Sequence, residues 1–201
     1  MKLLLYSTKA KPYLYKSLIN NKYFVGNDIY LKGSELNGKI VAECDFEVEE
    51  IELKMEYMGL YYCGETVNGW SGNLCEGSQL DNWQLLDYLG DKIGNKGYAI
   101  HIKNLHIFDK PRELRDYVIK DGKINDTQFF KVLEKAPQNM MYAYEYIDKW
   151  ELSASNMFTL NSFLEKNILI SIRPEWLCKI LNGEKTIEVR KKVLKGMLKN
   201  E

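Results

Sequence analysis

The chain has 201 residues, 45% apolar and 28% charged, with only four prolines, which excludes disorder, collagen and low complexity. Lys+Arg and Asp+Glu both number 28, so the formal net charge is zero. A surface that clamps a polyanion throughout is thereby excluded, while a local basic site is not, and the length suits one domain.

Cys44, Cys63, Cys75 and Cys178 are widely spaced and form no C-x-x-C pair, and His101 and His106 lie far from them in sequence. Neither a structural zinc site nor a secreted disulfide scaffold has that spacing. No metal and no cofactor are expected. No run of 18 apolar residues exists, and Met1–Tyr6 is too short for a signal-peptide core, so the expectation is a cytoplasmic protein without a membrane partner.

In chain order, residues 2–6 read as a buried strand, and Pro12 and the polar tract 20–27 read as loop. Asn37-Gly38 signals a turn. Residues 39–51 alternate, with Ile40, Ala42, Cys44, Phe46 and Val48 on one side and Glu43, Asp45, Glu47 and Glu49 on the other. That pattern predicts a half-buried strand with an acidic outer face. Residues 57–77, rich in Gly, Asn and aromatics, read as a long loop or insertion. Leu80, Trp83, Leu86 and Leu89 have helical spacing, and Gly90 supplies a stop.

Tyr98–Ile102 reads as a strand continuing to Phe108, 112–117 as a short helical turn and 121–127 as a polar loop. Residues 128–134 are open between helix and strand, and 140–147 alternate as a strand. A connector over 148–167, with a short helix over 160–166, leads to a strand at 168–172. Pro174 opens a helix carrying Trp176, Leu177, Ile180 and Leu181, and Gly183 closes it. Thr186–Arg190 alternates as a strand, and Val193, Leu194, Met197 and Leu198 outline a last helix. Residues 166–201 hold nine Lys/Arg against four Glu, so the basic charge gathers there.

Residues 183–190, Gly-Glu-Lys-Thr-Ile-Glu-Val-Arg, place Thr186, Glu188 and Arg190 on one strand face, with Lys185 at the junction with the helix stop. An ammonium, a carboxylate and a guanidinium converging there would bind a phosphate or a base edge, and a Lys beside a Glu can move a proton. The bland alternative is a surface strand with an ordinary ion pair. Trp176 reads either as a stacking platform or as core. Arg173, Lys191 and the neighbouring lysines read either as a phosphate track or as a solvated face.

Gly183-x-Lys185-x-x-Glu188-x-Arg190, preceded by strand, Pro174 and helix, resembles the signature of the ASCH superfamily. Similar likenesses run through 38–43, 98–102, 109–111 and 136–139. The resemblance implies an α+β fold, a PUA-like small β-barrel with flanking helices, and an association with RNA or modified nucleosides. The motif stands at the end of this chain rather than at the start, which implies a circular permutation. Residues 168–192 would then supply the first strand, helix and second strand of a single domain spanning 1–201, and 1–147 the later strands. Strand exchange in a homodimer and an incomplete second domain are the alternatives to a permuted monomer.

The ligand pocket so implied holds Lys185, Glu188 and Arg190, with Arg173, Trp176 and Lys191 as further contacts. Some members are amidohydrolases that deacetylate N4-acetylcytidine with a Lys, a Thr and a Glu. Lys185 matches the Lys, but Glu188 stands where the Thr is expected, with Thr186 one step away on the same face. Catalysis, if present, would use Lys185, Glu188 and Thr186. A third reading is protein interaction through the aromatic segment 57–77, with Tyr57, Tyr61, Tyr62 and Trp70.

Overall fold

A computed structural model describes residues 1–124, 127–145 and 164–198, with only the backbone of 124 and 127. The helix expected over 160–166 falls largely outside them. The described chain is α+β, mostly mixed sheet with few helices, and it divides into two compact units. The first comprises Met1–Cys44 and His106–Leu177, the second Asp45–Leu105 and Cys178–Glu201.

In the first unit the strand order is β4–β1–β10–β9–β7–β8, where β1 is Leu3–Ser7, β4 begins at Ile40, β7 is Tyr117–Ile124, β8 is Thr127–Val132, β9 is Met141–Glu145 and β10 is Lys166–Ile172. All five residues of β1 are buried, because it is paired on both edges. Leu3 sits opposite Cys44 of antiparallel β4, and Ile168 of parallel β10 is its other neighbour. A strand covered on every side reads as a continuous apolar run, which is what Leu-Leu-Leu-Tyr shows. Leu4, Tyr6, Ile40, Phe108, Tyr117, Leu133, Ala143 and Leu169 form its core. The described pairings do not close this sheet into a barrel.

Part of the expected loop 20–27 is strand. β3 (Tyr23–Gly26) pairs with β2 (Tyr13–Lys16) in a separate hairpin. The buried Asn37 holds it: its Oδ1 accepts from the Leu14 N–H at 2.9 Å and its Nδ2 donates to the Leu14 carbonyl at 3.0 Å. Within the expected polar loop 121–127, residues 121–124 belong to β7 and Thr127 opens β8, and the two strands pair antiparallel with a register shift between Lys120 and Gly122.

In the second unit the order is β11–β6–β4, with β5 also on β4. Here β4 (Ile40–Glu56) and β6 (Lys96–Arg112) each run on from one unit into the other, β5 is Gly59–Cys63, and β11 is Ile187–Arg190. The segment 57–77 is therefore not a long loop. Its first part is β5, turned back on β4 with Glu56 opposite Gly59, and its last part is α1 (Asn73–Ser78). Tyr62 is fully buried and donates its hydroxyl to the Gly90 carbonyl at 2.8 Å, so it is core rather than contact surface. Tyr57 and Trp70 stack on one another with centroids 4.2 Å apart and stay exposed.

α2 (Asn82–Leu89) starts at a capping box, with Asp81 accepting from the Gln84 N–H and Gln84 accepting from the Asp81 N–H. Its buried stripe is Leu85 and Leu89, whereas Trp83, expected on that stripe, is 80% exposed. α3 (Pro174–Leu181) links β10 to β11. No helix is described over 191–198, although Met197 is buried. None of the described helices is long and apolar enough to cross a membrane.

Candidate functional site

β11 is placed by the way α3 stops. Gly183 takes the left-handed conformation (φ 76°), and its N–H reaches the Ile180 carbonyl at 3.0 Å. The Glu184 and Lys185 N–H groups both donate to the Lys179 carbonyl, at 2.8 and 3.1 Å. Satisfying the last carbonyls this way turns the chain sharply, and glycine tolerates the turn because it has no Cβ. Lys185 is thereby fixed at the mouth of the strand.

The strand then alternates. Ile187 and Val189 join Ile51, Leu53, Tyr62, Leu74, Leu85 and Ala99 in the core of the second unit. Glu188 and Arg190 lie in register with Ile100 and Tyr98 of β6, on the other face. α1 closes against the start of β11: the Thr186 N–H donates to the Gly77 carbonyl at 2.9 Å. Gly77 is required there, because a Cβ would come within 2.6 Å of Ile187 Cδ1.

The next carbonyl, of Ser78, accepts from Lys185 Nζ at 2.6 Å. The same Nζ lies 3.4 Å from Glu188 Oε2, while Arg190 Nη2 lies 2.9 Å from Glu188 Oε1. One carboxylate thus serves two cations, one oxygen to each. The three side chains are 2%, 11% and 23% exposed in the order Lys185, Glu188, Arg190, so the group opens toward solvent at the guanidinium. Burial lowers the Lys185 pKa. Glu188 opposes the shift and the charges of Arg190 and Lys179 add to it, but desolvation dominates.

The arrangement offers donors from Arg190, an acceptor on Glu188 and an amine with an enlarged neutral fraction. A strand of ordinary surface ion pairs would not bury its lysine to this extent.

Of the residues expected at the site, Lys185, Glu188 and Arg190 are brought together. Thr186 is exposed and engaged through its backbone, its carbonyl accepting from the Ile102 N–H at 2.8 Å. Lys191 is exposed with Nζ 5.3 Å from the Tyr88 ring centroid. Arg173 and the half-buried Trp176 belong to the first unit, where Arg173 is 75% exposed and 4.0 Å from Glu175. His101 faces Glu49 at 3.7 Å and Thr66 at 3.5 Å, and His106 faces Glu43 at 3.4 Å.

The acidic face of β4 is likewise matched to polar side chains of β6. Glu47 takes Lys103 at 2.6 Å and Asp45 takes Asn104 at 2.8 Å. Among the described residues no cluster of three or more His, Cys, Asp or Glu side chains could hold a metal ion. Sequence reasoning missed Gly77 and Ser78, whose part is played by backbone; the only trace is a glycine two residues before a helix stop.

No protein-family model, curated protein or solved structure matches the chain.

Proposed function

We propose that the protein is an ASCH-type binding module that takes RNA or a modified nucleoside at Lys185, Glu188 and Arg190. The observation that carries this reading is the carboxylate of Glu188 shared between two cations, on the strand with the Gly-x-Lys-x-x-Glu-x-Arg spacing. Arg190, the most exposed of the three, meets the ligand first and donates to a phosphate or a base carbonyl, while Glu188 accepts from an exocyclic amine. Specificity follows from the chemistry of loss. A ligand without the amine would forgo the added bond to the buried carboxylate and bind more weakly. In this reading 168–192 supplies the first strand, helix and second strand of a permuted PUA-like domain, consistent with β10 lying against β1.

The lowered Lys185 pKa favours a second reading, an amidohydrolase acting on an acylated nucleoside such as N4-acetylcytidine. The neutral amine would take a proton from water as the oxygen attacks the acyl carbon. The C–N bond then breaks, and the proton passes to the leaving amine, giving carboxylate and free nucleoside. Glu188 would orient the ammonium, and Thr186, exposed at the strand start, would reach the substrate only from the solvent side.

The two readings separate in one pair of assays. Fluorescence anisotropy with labelled RNA and with cytidine analogues, across a salt series, should show saturable binding that Arg190→Ala weakens at least ~10-fold. Acetate release from N4-acetylcytidine, abolished by Lys185→Ala, would move the assignment to hydrolysis. If neither binding nor release occurs with well-folded protein, both readings fall.

A further inference from the structure

A second site lies wholly within the first unit. A cleft of about 720 Å³ is lined by Tyr6, Lys9, Gly38, residues 113–115 and residues 132–136. That volume falls in the range of small-molecule sites. Its floor is apolar, from Tyr6, Leu114, Val132, Leu133 and Ala136, and Tyr6 and Leu133 belong to the buried core beneath. Its rim is cationic. Lys9 comes from the segment after β1, Arg115 from the helical turn Leu114–Asp116, and Lys135 from the segment after β8.

The charges there do not cancel. Glu113 is paired with Lys39, so it is not left to offset another cation, and Glu134 is the remaining carboxylate of the lining. Lys9, Arg115 and Lys135 make no ion pair among the described residues. Three lysines of the sheet, Lys96, Lys103 and Lys131, do each have a carboxylate. The backbone makes room for this. Gly38 has φ 79°, and the Lys9 side chain lies directly over it, where any Cβ would overlap the Lys9 methylenes. The Lys9 methylenes thus lie over Gly38 beside the cleft.

Three cations on three separate segments of one lining suit an anion that accepts from several directions. A phosphate has that geometry, with three terminal oxygens around a tetrahedral centre, whereas a planar carboxylate is best met by one guanidinium fork. The apolar floor, with a tyrosine ring, suits an organic body attached to that anion. We propose that this cleft binds a small organic phosphate of about mononucleotide size, its phosphate held by Lys9, Arg115 and Lys135 and its body against Tyr6 and Leu133. The site shares no residue with the Lys185 group and stands whether or not the reading of that group holds.

The test is calorimetry and thermal shift on the full chain with phenyl phosphate, ribose 5-phosphate, inorganic phosphate, ribose and succinate. Saturable binding of the two organic phosphates is expected, tighter than inorganic phosphate and absent for ribose. The double variant Lys9→Ala/Arg115→Ala should lose at least ~10-fold in affinity, Gly38→Ala should lose affinity by displacing Lys9, and Lys185→Ala should bind as the parent does. Because Lys9 and Arg115 are exposed, the double variant is expected to fold, with an unchanged circular dichroism spectrum as the check. Ribose or succinate binding as tightly as the phosphates, undiminished binding in the double variant, or no saturable binding of any phosphate would each overturn the proposal. Loss of phosphate binding in Lys185→Ala would overturn it as well, assigning the phosphate to the other site.

Discussion

The Lys185 ammonium donates to the Ser78 carbonyl at 2.6 Å, joining two residues 107 positions apart in the chain. The contact ties the end of α1 to the mouth of β11, and it holds the buried amine beside the Glu188 carboxylate. The end of a helix is a natural place for a cation, since its last carbonyls lack partners within the helix.

Glu188→Gln should be the most damaging single change at this group. It leaves Lys185 buried beside a neutral amide and Arg190 without its carboxylate, and breaking a buried pair from one side costs about 3–5 kcal/mol. Lys185→Met should cost much less, roughly 1 kcal/mol or under, because Glu188 keeps Arg190 and the desolvated charge is gone. Urea denaturation of the two variants at pH 7 checks the order, and equal losses would contradict the shared-carboxylate account.

The lowered pKa of Lys185 makes a pH prediction of definite sign. Between the folded value and the ordinary 10.5, the unfolded chain binds more protons than the native one. Stability from this group therefore rises with pH through that window and is flat below the folded value. The difference in unfolding free energy between parent and Lys185→Met should grow in the parent's favour from neutral pH toward 10.5. A difference that shrinks over that range would reverse the assignment of burial as the main cause.

Gly77→Ala should loosen α1 from β11. The new methyl meets Ile187 Cδ1 at 2.6 Å, so either the isoleucine or the helix must shift, at about 1–3 kcal/mol. Since Ser78 follows directly, ligand binding at Arg190 should weaken along with stability, whereas Gly122→Ala, with open space around its Cβ position, should leave binding unchanged. Thermal unfolding and RNA anisotropy on both variants measure the two effects together.

Asp81→Ala should cost about 1 kcal/mol by removing the cap of α2, and Asp81→Asn should restore most of it. Chemical denaturation of the pair is sufficient. No effect on binding is expected, because the cap is exposed and lies outside the Lys185 group.

The parts of the fold that could be read from sequence are those where local pattern and final environment agree. Leu3–Tyr6, Tyr98–Ile102, Ile168–Ile172, the Pro174 helix and its Gly183 stop are each short, apolar or capped. β4 shows why reading fails over longer spans. Ile40, Val41, Ala42 and Cys44 are all buried, where a register shift against β1 interrupts the alternation, and farther along Ile51 and Leu53 are buried at odd positions. No single alternation therefore fits 39–51. For α2 the helical period was legible but the face was not, because Trp83 and Leu86 fit the same spacing as Leu85 and Leu89. In 57–77 nothing is periodic, since β5 is short and α1 has six residues, and its structure depends on β4 and β11 more than on itself. At the site, the three side chains could be chosen from their spacing. Their burial could not, because it depends on Gly77 and Ser78, more than 100 positions away in the chain.

The place of β1 between β4 and β10 also sets an order of events during synthesis. Residues 3–7 are made well before residues 166–172, so β4 can pair with one edge early, but the other edge lacks its partner until residues 166–172 have left the ribosome. Until then a strand of Leu-Leu-Leu-Tyr-Ser carries an open hydrogen-bonding edge, the kind of surface that recruits other chains. Completion of the first sheet is therefore late and long-range in sequence, which makes for slow folding. A nascent chain arrested before residue 166 should be far more prone to associate than the finished protein.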